Sequence, residues 1–277
     1  MPKKYVAKIV IEGTIEKENK TYEQKWLLNT IEKIKGKKNT IGIMLYINSP
    51  GGGAYESQEA YDAIMEYKKK TGHHVYAYFA SLAASGGYLI GCAADKIIAN
   101  QETLTGSIGV MAGRFVDISS LMERYGIKAE IIHTGKNKTM GIFFEPTTDE
   151  QRAIMQSVSD ECYENFVTVV EKGRKLDRRK VYELADGRVY TAKQALKNGL
   201  IDEIATFGKA LDIMDEDLFK DEEVVLCEYK KKEKKSLVSK IIKGTYSASD
   251  PIQMFSQILK ADIPFPAFYF DSGRFNR

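Results

Sequence analysis

The chain has 277 residues, 43% of them apolar, and its 41 basic and 38 acidic side chains leave a formal charge of +3. This composition supports a folded core, excludes disordered and collagen-like chains, and gives no argument for nucleic-acid binding. No stretch approaches the roughly 18 uninterrupted apolar residues of a membrane span, which predicts a cytoplasmic protein, or a membrane-associated one whose anchor is absent from this chain.

Short apolar runs alternate with helical patterns through the first half of the chain. The pattern predicts strands at 5–11, 41–47, 75–79, 96–99 and 127–132. It predicts helices at 22–34, 54–70, from about residue 84, and around 118–125. This alternation is typical of an α/β fold with a mostly parallel sheet and flanking helices.

The second half of the chain is predicted to be mainly helical. Thr148 and Gln151 have the spacing of a capping box for a helix that continues to about residue 170, and Thr191 is a second candidate cap. The charge run KKKEKK at 230–235 indicates a boundary, and an aromatic-rich tail follows it. We expect a domain over 1–215 and a C-terminal extension over 216–277 made of a strand, a basic linker and the tail.

Two glycine-rich turns follow predicted buried strands. In the first, NSPGGG at 48–53, glycines let the backbone approach a ligand and present N–H groups at the start of a helix. Such donors suit a phosphate or the oxyanion of an acyl-transfer intermediate, although a purely structural turn explains this motif equally well. The second turn, SLAASGGY at 81–88, places Ser85 among small residues, either as a simple helix cap or as a nucleophile beside a bound chain.

A nucleophilic serine needs a base, and the chain has only three histidines. His73 and His74 precede the strand that leads to Ser85, so they should lie at its far end, whereas His133 is a weak alternative. A lysine can serve when desolvation keeps its amine neutral, and Lys136 and Lys138 follow the predicted strand at 127–132.

Together these motifs resemble the signal peptide peptidase A family of Ser/Lys serine proteases, which has the Clp-protease/crotonase type of fold. The resemblance runs over roughly residues 5–214. Its motifs, in chain order, are YINSPGG (46–52), AASGGY (83–88), LTGSIGV (104–110), TGKNK (134–138), DGRVY (186–190) and GLID (199–202).

The resemblance implies a role for each matching residue. It makes Ser85 the nucleophile and Lys138 the general base, with Ser107 orienting the lysine amine. The backbone amides of Gly52 and Gly86 match the oxyanion hole. The resemblance implies no metal and no cofactor, and it gives the DGRVY and GLID segments a structural role.

Relatives with one catalytic domain per chain form rings in which the lysine of one protomer can serve the serine of its neighbour. The resemblance therefore implies a homo-oligomer with a shared dyad that hydrolyses unstructured or apolar peptides, such as signal-peptide remnants. The aromatic tail lies outside the resemblance, and we expect it to pack on an adjacent subunit or to lie in a substrate groove.

Three other interpretations remain open. A crotonase-type acyl-CoA enzyme also uses paired backbone amides, but it predicts acidic catalytic residues near the second glycine turn, where this chain has Ser85. A capsid-maturation protease of the same wider family would share the dyad and differ in substrate. A non-catalytic ring scaffold would retain only the fold, and the intact serine and lysine argue against it.

Overall fold

The structure is a computed structural model that describes residues 4–113, 115–219, 225–231 and 267–269. The strands are β1 (Tyr5–Glu12), β2 (Thr40–Ser49), β3 (Gly51–Gly53), β4 (His74–Ala84), β5 (Lys96–Ala99), β6 (Leu104–Gly106), β7 (Val189–Thr191), β8 (Glu203–Ile204), β9 (Val225–Tyr229) and β10 (Ala267–Tyr269). The helices are α1 (Gln24–Lys35), α2 (Ala54–Thr71), α3 (Gly86–Gly91), α4 (Ser119–Arg124), α5 (Asp149–Arg174), α6 (Arg178–Leu184), α7 (Ala192–Lys197) and α8 (Phe207–Leu218).

A mostly parallel sheet organises these elements. Eight strands join it, with the main path β7-β6-β4-β2-β1-β9 and with β5 paired to both β4 and β8. Every pairing is parallel except that between β6 and β7. Because β2 and β4 are central and parallel, their carboxyl ends meet at one edge, and both predicted glycine turns leave the sheet there.

Helices cover both faces of the sheet. Alternate residues of β1 and β2, such as Ile9 and Leu45, point to the larger core, which α1, α2, α3 and α5 complete. The intervening residues, such as Val6 and Met44, point to a smaller core closed by α8. This arrangement confirms the predicted fold class, a mostly parallel sheet with flanking helices.

Most predicted elements lie where the sequence pattern placed them. The strand predicted at 75–79 is longer, because β4 continues directly to Ser85. Thr148 and Thr191 both form complete capping boxes, with Gln151 and Gln194 respectively, as their spacing predicts.

The strand predicted at 127–132 is wrong. That segment is irregular and exposed, with the Ile132 side chain 96% accessible. It belongs to a longer stretch, residues 111–148, that we call the arm. Apart from Arg114, which lies outside the described residues, every residue of the arm is at least partly accessible and none is buried. The segment therefore joins no sheet in the described part of the chain, and its apolar residues need another explanation.

The C-terminal extension contributes two described strands. β9 adds a parallel edge strand beside β1, and just after it the buried Lys231 amine donates hydrogen bonds to the carbonyls of Asn19 (2.6 Å) and Tyr22 (2.9 Å). β10 pairs antiparallel with β3. Most of the predicted basic linker and aromatic tail lies outside the described residues. Among the helices that the structure describes, none has the length and apolar character to cross a membrane.

Candidate active site

Ser85 stands at the turn between β4 and α3. Its backbone has φ 52° and ψ −120°, a conformation that residues other than glycine rarely adopt. The Ser85 N–H donates a 2.7 Å hydrogen bond to the carbonyl of Gly106 at the end of β6. Such strain costs on the order of 1–3 kcal/mol and persists only where the surrounding structure enforces it, as at functional sites.

The hydroxyl of Ser85 has no partner among the residues that the structure describes. The residue is 1% exposed, and its Oγ makes no hydrogen bond with any described residue. A buried hydroxyl without a partner costs roughly 1–3 kcal/mol, so natural structures rarely keep one without a reason. A side chain that caps a helix would use its oxygen on the helix N–H groups, and Ser85 makes no such bond. The simple helix-cap interpretation therefore does not hold.

The structure brings Gly52 and Gly86 together beside Ser85. A Cβ placed on Gly86 would lie 3.3 Å from the Gly52 nitrogen and 2.2 Å from Ser57 Oγ. A Cβ on Gly52 would collide with the carbonyl oxygen of Ile15 at 1.8 Å. Both positions therefore require glycine, and the two backbones approach as two amides must if they are to hold one oxyanion.

Hydrogen bonds fix the first glycine turn from both sides. Ser49 Oγ donates to the Gly13 carbonyl (2.6 Å) and accepts from the Gly51 N–H (3.1 Å). Asn48 Oδ1 accepts from the hydroxyl of Ser81 (2.8 Å) on β4. The first two residues of NSPGGG thus attach β3 to the neighbouring loop and to the strand that carries the serine.

Ser107 lies next to the residue that bonds Ser85. Its own backbone is strained, with φ 51°, and its N–H donates to the Arg188 carbonyl at 2.8 Å. The DGRVY segment therefore holds the Ser107 turn through β7. A cavity of about 520 Å³ opens beside Ser107 and is lined in part by Val110 and Met111 at the base of the arm.

Lys138 is not brought to Ser85 within this chain. It is exposed on the arm, and because Ser85 Oγ has no described partner, the lysine amine is not within hydrogen-bond distance of it. Lys136 instead forms an ion pair with Glu150 at the start of α5. His133 is exposed on the same arm, and His74 begins β4 at the end opposite Ser85.

Three contributions to the site escaped the sequence pattern. Ile15 bonds the first and the last residue of β3 along one edge, because its N–H donates to the Gly51 carbonyl (2.8 Å) and its carbonyl accepts from the Gly53 N–H (2.7 Å). Ser57 is fully buried against Gly86, and its hydroxyl makes no hydrogen bond in the described part of the chain. Tyr88 of AASGGY donates to the carbonyl of Leu200 in GLID (2.8 Å), which joins two of the motifs. The sequence offered a signal only for Ser57, since polar residues are unusual on a buried helix face.

Comparison with known proteins gives consistent relatives. The family described as Peptidase family S49 matches residues 67–220. A putative signal peptide peptidase SppA of Enterococcus faecium is 40% identical over 191 residues, which is 69% of this chain and 55% of that protein. A putative protease of Synechocystis is 35% identical over 204 residues, covering 74% of this chain and 71% of the relative. Protease 4 of Haemophilus influenzae is 32% identical over 210 residues, 75% of this chain and 34% of that protein.

Proposed function

Because the chain belongs to peptidase family S49, a family of serine peptidases, we propose that it is an endopeptidase with a Ser85–Lys138 dyad. The observation that carries this proposal is the buried and strained Ser85, whose hydroxyl has no described partner and which stands beside two closely approaching glycine backbones. A nucleophile that awaits both a base and a substrate has this environment.

The proposed chemistry is acyl transfer. The neutral amine of Lys138 takes the Ser85 proton, and Ser85 Oγ attacks the substrate carbonyl. The amides of Gly52 and Gly86 hold the tetrahedral oxyanion, and the leaving amine takes the proton back from the lysine. Water, activated by the same amine, then releases the acyl group. We assign to Ser107 the role of orienting the lysine amine, because its turn is bonded to the turn of Ser85 through Gly106.

We assign the lysine that serves each serine to a neighbouring copy of the chain. Two features support this: Lys138 lies on the exposed arm, and the arm carries apolar side chains that face solvent in one copy. They include Val116, Leu121, Tyr125, Ile127 and Ile132. A segment that exposes several large apolar side chains is a candidate for an interface. We propose that the incoming lysine enters through the cavity beside Ser107.

The substrates are proposed to be unstructured or apolar peptides, of the kind that signal peptides leave behind. The printed name of the Enterococcus relative refers to signal peptides. In this chain the support is a strand of three glycines beside the nucleophile, because such a strand can pair with an extended peptide.

Hydrolysis of an apolar fluorogenic peptide tests this proposal. We expect Ser85→Ala and Lys138→Ala each to lower kcat/KM by about 10³-fold or more. The matched control is Lys136→Ala, two residues away on the same arm, which should change it by less than about two-fold because Lys136 is held by a surface ion pair. Full activity in Ser85→Ala would reject the nucleophile, and loss in Lys136→Ala with activity in Lys138→Ala would reassign the base.

A further inference from the structure

The hydroxyl of Ser57 is a polar group at the candidate site that the proposed chemistry does not use. Ser57 lies on the buried face of α2 and is fully inaccessible. In the described part of the chain, three buried side-chain hydroxyls have no hydrogen-bond partner, and they belong to Thr40, Ser57 and Ser85. Two of the three lie beside Gly86. Because an unpaired buried hydroxyl is costly, two at one site indicate that the working enzyme supplies their partners.

A hydroxyl on a helix usually finds a partner within the helix, because it can bond the carbonyl three or four residues earlier. Thr30, Thr71 and Thr168 each bond the carbonyl four residues before them, at 2.7, 2.8 and 2.8 Å. Ser57 makes no such bond to any described residue. An alanine would fill the same buried position without leaving a polar atom unpaired, so helix formation and packing do not explain a serine here.

The side chain of Ser57 points at Gly86. A Cβ placed on Gly86 would lie 2.2 Å from Ser57 Oγ but 3.2 Å from Ser57 Cβ, so the hydroxyl is the nearer end. The same point is 3.3 Å from the Gly52 nitrogen. Covalent geometry puts it about 2.5 Å from the nitrogen of Gly86 itself. The Ser57 hydroxyl and the two amides proposed for the oxyanion hole therefore all lie close to one point.

Serine hydroxyls can act beside backbone amides as donors to an oxyanion. We propose that the Ser57 hydroxyl donates a third hydrogen bond to the tetrahedral oxyanion, beside the amides of Gly52 and Gly86, which makes Ser57 a catalytic residue. This inference rests on the proposed function and adds one donor to the same acyl transfer. No bond to Ser57 forms or breaks, and its proton stays on Oγ throughout.

This hydrogen bond strengthens only as charge develops on the substrate oxygen. A group that stabilises the transition state more than the bound substrate contributes to kcat and not to substrate binding. Loss of the Ser57 hydroxyl should therefore lower kcat and leave KM unchanged. It should not weaken the fold, because removing an unpaired buried hydroxyl leaves no donor unsatisfied.

Ser57→Ala tests this assignment on an apolar fluorogenic peptide. We expect kcat to fall about 10²-fold, KM to stay within about two-fold, and the Tm to equal or exceed that of wild type. The matched control is Thr40→Val, because it also removes a buried hydroxyl without a described partner, at the end of β2 opposite the glycine turn. It should leave kcat unchanged. Unchanged kcat in Ser57→Ala, or a fall in kcat accompanied by a lower Tm, would overturn the assignment.

Inhibition by a peptide aldehyde tests the hydrogen bond itself. Ser85 Oγ adds to the aldehyde carbon, and the aldehyde oxygen then takes the position of the oxyanion. Ser57→Ala should weaken this inhibition about 10²-fold, in parallel with its effect on kcat. Equal inhibition of Ser57→Ala and wild type would reject the third donor and, if wild type hydrolyses the peptide, leave the peptidase assignment standing. A wild type that neither hydrolyses the peptide nor binds the aldehyde would reject both.

Discussion

The turn that carries Ser85 and the arm that carries Lys138 are opposite in character. The turn is buried and strained, its Ser85 N–H is bonded to the Gly106 carbonyl, and it lies against the first glycine turn, which Ser49 and Ile15 hold in place. The described part of the arm has no buried residue, and apart from the short α4 it is irregular. Burial prepares a nucleophile by excluding water, whereas an exposed segment with apolar side chains is prepared for contact with something else. In the proposed dyad, Ser85 thus lacks a base within hydrogen-bond distance in the described part of the chain, and the arm that carries Lys138 lacks a surface to pack against there.

The largest expected effect comes from mixing two inactive variants, which tests whether the serine and the lysine of one site come from different copies of the chain. Ser85→Ala and Lys138→Ala should each be inactive alone. After dissociation and reassembly at equal amounts, about a quarter of shared sites should contain both residues, because each site draws its serine and its lysine from different copies. Peptide hydrolysis measured before and after mixing gives the result. If mixing restores no activity while wild type treated in the same way recovers, both residues belong to one chain.

A substitution in the proposed interface on the arm should have the next largest effect on activity. Ile132→Glu places a charge on a side chain that is 96% exposed in one copy, so it should leave the fold intact and weaken assembly. We expect a fall in mass by light scattering together with a loss of at least about ten-fold in activity. Leu196→Glu on α7, another exposed apolar position, is the control and should change neither. Unaltered assembly of Ile132→Glu would remove the arm from the interface.

The packing of Gly86 against Ser57 predicts a smaller effect, confined to the turn. Gly86→Ala brings a methyl group to 2.2 Å from Ser57 Oγ, so it should cost roughly 1–3 kcal/mol of unfolding free energy and lower activity as the amides separate. Adding Ser57→Gly removes the obstructing side chain and should restore part of the stability. Thermal unfolding of both single variants and the double variant forms the cycle. Additive losses would show that the two residues do not interact.

The smallest effect concerns the cysteines. Burial raises the pKa of the Cys92 thiol to about 12, so it stays protonated at pH 8, and the thiolate is the reactive form. Cys227 is exposed. Iodoacetamide should therefore label Cys227 at least about ten-fold faster than Cys92, with peptide hydrolysis unchanged. Peptide mapping gives the two rates, and rapid loss of activity upon labelling of Cys92 would contradict this picture.

Much of the fold could be predicted from local pattern, because the buried strands and the capped helices carry their own signals. The Thr148 and Thr191 caps are local hydrogen-bond motifs, so spacing alone was sufficient. The three-residue strands β3, β6 and β7 have no periodicity to detect, and they form only because distant segments pair with them. The segment at 127–132 resembles a strand because apolar side chains alternate with Lys128 and Glu130, yet this pattern does not specify whether the partner lies in the same chain.

The residues of the candidate site also differ in whether local sequence patterns could identify them. The two glycine turns and Ser85 could be identified as candidates because each follows a strong strand signal, and their catalytic roles stay predictions. Ile15 and Ser57 could not be assigned, since their roles depend on contacts with Gly52 and Gly86 that only the folded chain creates. In the proposed shared dyad, the position of Lys138 relative to a serine depends on how copies of the chain assemble, and it stays a prediction here.

The three glycines of β3 have a consequence for selectivity. A strand without side chains recognises only the backbone of the peptide laid against it, and every peptide has the same backbone. Discrimination must then come from the walls of the groove and from the rate at which a peptide leaves, since pairing alone accepts almost any sequence. An enzyme built in this way would be a generalist, and its protection against indiscriminate digestion would lie in controlling admission to the groove.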